Sequence, residues 1–158
     1  MTDPSSLLLN ANPNQLKLPT MLAEHEKLAR EAATRDEPYP AYLLRLTELE
    51  VTARTANAIA ARIRAAAFPV HKEFDTFDFT ALPSLSKQKV LELTRREWVD
   101  RHFNACLIGG SGTGKTHAAT ALGLALCRLG KRVRFTTAAG LVTQLEEAQQ
   151  EHPLDRLL

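Results

Sequence analysis

At 158 residues, with 44% apolar and 24% charged side chains, the chain has the balance of an ordinary globular protein, and its length sets an expectation of one domain or a small helical domain joined to part of another. A net charge of +2 names no partner, and 13 Lys/Arg against 14 Asp/Glu in residues 1–100 exclude a basic nucleic-acid arm in that half. Cys106 and Cys127 exclude a disulfide-dense scaffold and lack metal-ligand spacing, while Asp3 and the short run "SSLLL" exclude a signal peptide or membrane span, so a reducing cytoplasmic setting is expected.

Residues 1–15, "MTDPSSLLLNANPNQ", are rich in Pro, Asn and Ser and read as a flexible arm. Ala, Leu, Glu and Lys dominate residues 20–34, which predicts a helix with Thr20 as N-cap, ended before Pro38 and Pro40. A longer helix is predicted from about residue 41 to residue 67. In it Tyr42, Leu46, Leu49, Ala53, Ala56, Ala60 and Ile63 alternate between four and three residues apart, which sets them on one seam. The alanines let a second helix approach closely, either within the chain or from another chain. Three heptads is the shortest run that supports an intermolecular coil, so a hairpin within the chain is the expectation. Arg45, Arg54, Arg62 and Arg64 share no helix face and read as solvated charges.

Residues 68–85 form an aromatic, acidic joint bracketed by Pro69 and Pro83. Ser86 then caps a predicted helix, "SKQKVLELTRREWVDR", with Trp98 as a packing anchor. "NACLIG", residues 104–109, is short, apolar and glycine-ended, the pattern of a buried strand. An Ala/Leu-rich helix is predicted over residues 114–129, with Gly130 as its left-handed C-terminal cap. A second, alternating strand "KRVRFTT" follows, then a helix capped by Thr137 and ended by Pro153. Arg128, Lys131, Arg132 and Arg134 make the one basic cluster. Cys106 and Cys127 read as small core residues, and His117 as an exposed helix position with no catalytic role.

Gly109, Gly110, Ser111, Gly112, Thr113, Gly114, Lys115 and Thr116 fit G-x-x-x-x-G-K-[ST] between the predicted strand and helix. Glycines accept positive φ and keep side chains out of the approach, so successive N–H groups can turn toward phosphate oxygens. The helix start adds unpaired donors and a positive dipole end. Lys115 reaches the β- and γ-phosphates as a point charge, and the Thr116 hydroxyl is placed to ligate Mg2+. The expected cofactors are therefore ATP and Mg2+. Hydrolysis asks for more: a carboxylate to fix Mg2+ through water, another to orient the attacking water, and an arginine. Beyond Thr116 the acids are Glu146, Glu147, Glu151 and Asp155, all in helical sequence and none after an apolar strand. Nucleotide binding without hydrolysis is the expectation, and no catalytic residue is assigned.

With these motifs in place, the chain resembles the IstB-like transposition helper ATPases, relatives of the DnaC-type helicase loaders in the AAA+ group. The likeness covers residues 16–158. It rests on "LKLPTM", "YLLRLTELEVTAR", "AAFPVHKEFDTFDF" and above all "LIGGSGTGKTHAATALGLALCRLGKRVRFTTAAGLVTQLEEAQ". The resemblance implies an α/β fold: a helical N-terminal domain followed by the first β-α-β-α portion of a P-loop, AAA+-type parallel sheet core. The implied division is a flexible arm at 1–15, a helical domain at 16–70, a linker and helix at 71–100, and a partial ATPase core at 101–158.

The resemblance further implies ATP-dependent assembly on double-stranded DNA, a homo-oligomer, and a partner transposase. Phe77 and Phe79 match the motif near which the family holds adenine. The acidic strand, sensors and arginine finger of complete family members would follow Leu158, so the chain reads as a truncated copy. In the family's sheet order the two predicted strands are not neighbours. Both are therefore expected to lack ladder partners and to leave apolar faces uncovered, beside a sturdier helical half. Two other readings stand beside this one: a helicase-loader ATPase, and a non-catalytic helical interaction fragment that pairs through the seam on residues 42–63.

Overall fold

The computed structural model describes residues 4–80 and 86–151; Pro83, Pro153 and Asp155, named above, lie outside them. The regular elements are α1 (Pro4–Gln15), α2 (Pro19–Thr34), α3 (Tyr39–Ala65), a short 3-10 helix (Phe74–Thr76), α4 (Lys87–Leu93), α5 (Glu97–Asp100), α6 (Lys115–Arg128) and α7 (Ala138–Glu151). The chain divides into two compact units, Met1–Ala58 and Ile59–Leu158. No described helix is long and apolar enough to cross a membrane.

In the first unit, residues 4–15 of the expected arm form a helix. Pro4 opens α1, a position where a missing N–H is unpaired in any case, and Pro13 interrupts the ladder only near its end. α1 packs with α2. The predicted hairpin forms between α2 and α3. Leu28 and Ala32 of α2 and Leu46 of α3 are buried, and the Tyr42 hydroxyl donates to the His25 carbonyl at 3.3 Å. The seam is covered unevenly: Leu49 stays 40% exposed and, with Ala53 and Ala56, lines an open groove against Thr20 and Leu28.

The start of α2 differs from expectation. Leu18 stands at the N-cap without a side-chain bond, and Pro19 is the first helical residue. Thr20 does not cap. Its N–H and that of Met21 instead donate to one carboxylate oxygen of Glu50, at 2.9 and 3.0 Å, so a residue of α3 caps α2. Arg54 reaches the other Glu50 oxygen at 3.3 Å and also the Lys17 carbonyl. Burial pushes the Glu50 pKa up, but the Met21 and Thr20 N–H groups and Arg54 outweigh it, and the carboxyl lies below its ordinary value. Arg45 forks between Glu37 at 2.7 Å and Glu31 at 2.8 Å, and its hydrogen bond holds the Glu31 carboxyl below the ordinary range. Arg45 and Arg54 thus have carboxylate partners, and Arg54 is also solvated, its side chain being 58% exposed.

The second unit is built around α6. Ala118, Thr120, Ala121, Leu122, Leu124, Leu126 and Cys127 are all buried, as the Ala/Leu-rich pattern predicts. Its end is the predicted left-handed cap: Gly130 has φ 88°, its N–H donates to Cys127, and the Lys131 N–H donates to Leu126, a Schellman pair. Arg62 adds a hydrogen bond to the Cys127 carbonyl at 3.4 Å, so it too has a partner. Ser86 caps α4 and Thr137 caps α7 through side-chain oxygens that accept from Lys89 and Gly140. The helix predicted over residues 86–101 is broken into α4 and α5. At the break the Trp98 indole N–H takes the Leu93 carbonyl at 2.7 Å, which replaces a helical bond.

The predicted sheet is absent. Among the described residues there is no strand, so the expected α/β parallel-sheet core is replaced by a helical fold. A strand persists when its N–H and C=O groups meet a neighbour, and residues 104–109 and 131–137 have no ladder partner among the described residues. The first segment is open to solvent: Ile108 is 95% exposed, and Cys106 is exposed rather than a core residue. The second keeps its predicted alternation. Val133 and Phe135 are half-buried while Arg132 and Arg134 are exposed. Phe135 also anchors this segment: its N–H donates to the Ala66 carbonyl at 2.8 Å and its ring lies 6.4 Å from that of Phe68.

Candidate functional site

Residues 109–114 lead directly into α6, and Gly114 is that helix's N-cap in the left-handed conformation, φ 74°. Gly112 also has positive φ, 76°, whereas Gly109 and Gly110 do not. The requirement at Gly109 is spatial, since a Cβ there would stand 3.0 Å from the Thr113 hydroxyl. Thr113 and Lys115 both donate to the Gly110 carbonyl, Thr113 at 2.9 Å, so the loop is closed by its own side chains.

The donors needed by an anion are present. Among the described residues, the backbone N–H groups of residues 110–117 make no hydrogen bond; the first bond of the helix start runs from Ala118 to Gly114 at 2.9 Å. A 14-residue helix ending in such a row presents unpaired N–H groups and the positive end of its dipole together. Thr116 is exposed, and its hydroxyl makes no hydrogen bond among the described residues. The loop therefore suits an oxygen-rich anion, with Lys115 and Thr116 at hand for its charge and its counterion.

The joint packs against this loop through contacts that composition and spacing do not signal. Phe77 is buried, 8% exposed, and a Cβ added at Gly114 would lie 3.2 Å from its ring. Phe74 and Phe79 surround Phe77, with ring centroids 6.1 and 4.7 Å away. His117 is not an exposed position. It is half-buried, meets Phe77 edge-on with centroids 5.0 Å apart, and bonds the Glu73 carbonyl through Nε2 at 2.9 Å. A carbonyl can only accept, so Nε2 carries the proton.

Glu73 is held a second time by its carboxylate. Arg128 donates to it at 2.5 Å and His71 bonds it at 3.0 Å, and these hydrogen bonds keep its pKa below the ordinary range. The basic cluster is thereby partly neutralised, Arg128 by Glu73 and Lys131 by Asp100, while Arg134 bonds the uncharged Gln144 amide. Cys127 is fully buried, and burial pushes its thiol pKa up, as suits an inert core residue. Glu146 and Glu147 are exposed on α7. Among the described residues, no group of three or more His, Cys, Asp or Glu side chains is arranged to hold a metal ion.

A glycine-rich loop closing on a lysine at the start of a buried helix defines an anion-binding class of site. Comparison with known proteins is specific: residues 11–158 match the family of IstB-like ATP-binding proteins, and the chain belongs to that family. It is 37% identical over 145 residues to a protein of insertion sequence IS5376 from Geobacillus stearothermophilus, covering 92% of this chain and 58% of that one. It is 31% identical over 150 residues to one of IS232 from Bacillus thuringiensis subsp. berliner, covering 95% and 60%. A protein of IS21 from Pseudomonas aeruginosa is 33% identical over 145 residues, covering 92% and 55%. All three are named for ATP binding. The chain spans between 55% and 60% of the length of these curated relatives.

Proposed function

We propose that this chain binds ATP and Mg2+ through Gly109, Gly110, Ser111, Gly112, Thr113, Gly114, Lys115 and Thr116, as the nucleotide-holding part of a helper for DNA transposition. The observation that carries the reading is the run of unbonded N–H groups over residues 110–117 at the start of α6, beside Lys115 and Thr116. In this role the N–H groups take the phosphate oxygens, Lys115 exchanges its bond to the Gly110 carbonyl for the β- and γ-phosphates, and Thr116 ligates Mg2+. The bound ion would neutralise phosphate charge. Gly112 and Gly114 keep the left-handed turns open to the ligand.

The relatives' names tie them to insertion sequences, which supports a mobile-element setting. A transposase and double-stranded DNA as partners, self-association on that DNA and a cytoplasmic location rest on the resemblance to IstB-like helpers alone.

The test is titration with a fluorescent ATP analogue in the presence of Mg2+, followed by retention of duplex DNA on a filter with and without ATP. The unmutated chain binds saturably and retains DNA when ATP is present. Lys115→Ala weakens binding at least about tenfold, the scale of one lost charge-assisted hydrogen bond, and abolishes the ATP-dependent retention. Equal binding by the two chains, or none by the unmutated one, would contradict the proposal.

A further inference from the structure

We propose that His117 is a positioning residue that couples occupancy of the loop to the order of the joint segment at residues 73–77, an inference that rests on the nucleotide reading of residues 109–116. Glu73 is fastened at two distant points of α6. His117, in the first turn, donates from Nε2 to its carbonyl at 2.9 Å, and Arg128, in the last turn, donates to its carboxylate at 2.5 Å. Between these points the segment delivers Phe77 to the loop. The Phe77 ring meets His117 edge-on at 5.0 Å between centroids and closes against Gly114, where a Cβ would lie 3.2 Å from it.

Gly114, His117 and Phe77 thus form one contact set whose members belong to the loop, the helix and the joint. An anion held by the N–H groups of residues 114–117 fixes the first turn of α6, and with it the direction of the His117 ring. That ring carries the constraint to Glu73 and Phe77 by one hydrogen bond and one packed edge. Coupling of this kind needs a physical contact between the ligand-ordered turn and the responding segment, and His117 supplies it. The His117 side chain touches neither substrate nor metal in this scheme; only its backbone N–H, which His117→Ala and His117→Gln both keep, faces the anion.

Lys72, exposed and immediately before Glu73, provides a reporter, because trypsin cleavage after it follows local opening of the joint. The experiment measures that cleavage by mass spectrometry of the full 158-residue chain, with and without saturating ATP and Mg2+. In the unmutated chain ATP slows the cleavage at least about fivefold, the lower range of coupling between sites. His117→Ala, shown to be folded by circular dichroism and to bind ATP, loses the slowing. His117→Gln, which keeps a side-chain N–H for the Glu73 carbonyl, recovers it.

A general loss of stability would speed cleavage in both states without erasing the effect of ATP, so it is told apart from lost coupling. Undiminished protection in ATP-bound His117→Ala overturns the inference and leaves the nucleotide reading intact. Failure of the unmutated chain to bind ATP overturns both. If His117→Ala does not fold, Phe77→Leu removes the ring edge while keeping apolar bulk, and the same two outcomes decide.

Discussion

Gly123 lies in the buried middle of α6, and a Cβ there would stand 2.6 and 2.7 Å from two atoms of the Phe68 ring. Gly→Ala in a free helix gains about 1 kcal/mol from propensity. Overpacking a filled site costs about 1–3 kcal/mol, so the clash outweighs the gain and Gly123→Ala destabilises the chain. Urea unfolding checks this, and a midpoint that rises would mean that the Phe68 ring yields freely. The position looks unremarkable in an Ala/Leu-rich run, because the ring that demands glycine comes from residue 68, far away in sequence. His117 was hidden for the same reason: its partners are Glu73 and Phe77, and helical periodicity reports only neighbours on its own helix. In the loop, Gly112 and Gly114 adopt the positive φ that a glycine accepts, a local property, while Gly109 and Gly110 do not. Cys127 and Cys106 look alike in sequence and diverge in structure, buried and exposed, because the segment that carries Cys106 has no strand partner among the described residues.

Among the elements, propensity, proline and capping signals report the helices, and the starts of α4 and α7 and both ends of α6 follow them, whereas the end of α4 at Leu93 does not. Nor does the cap of α2. Its acceptor is Glu50, thirty residues from Thr20, which no local signal announces. That cap makes the hairpin sensitive to acid. Since the folded pKa of Glu50 is depressed, the unfolded chain takes up the proton first. The stabilisation is complete above about pH 4.3, the ordinary glutamate value, and is lost as pH falls through the lower folded value. Glu50→Gln therefore melts at a lower temperature than the unmutated chain at neutral pH, and the gap narrows in acid. Thermal melts followed by circular dichroism from pH 7 to about pH 3 read it. A gap that stays constant would show that the Glu50 charge adds nothing to the cap.

At the scale of the whole molecule, two compact units are helical, and the sheet implied by resemblance is absent among the described residues. Apolar patterning alone does not make a strand, and the two segments expected to lack ladder partners have none among the described residues. Val133 and Phe135 do turn inward, but pairing depends on a neighbour that the pattern of one segment cannot supply. Exposed Ile108, Leu141, Val142 and Leu145 mark apolar surface left uncovered in the second unit. The family, by contrast, was legible from motif order, and residues 11–158 match it. The central claim is that the unbonded N–H groups at the start of α6 hold the phosphates of ATP. Amide chemical shifts of the 158-residue chain, recorded by NMR during titration with ATP and Mg2+, test it most directly. The account predicts saturable shifts largest at Gly112, Gly114, Lys115, Thr116 and His117, with α2 and the early turns of α3 unmoved. Shifts concentrated in the α2–α3 groove, or none at the loop while ATP binds, would contradict it.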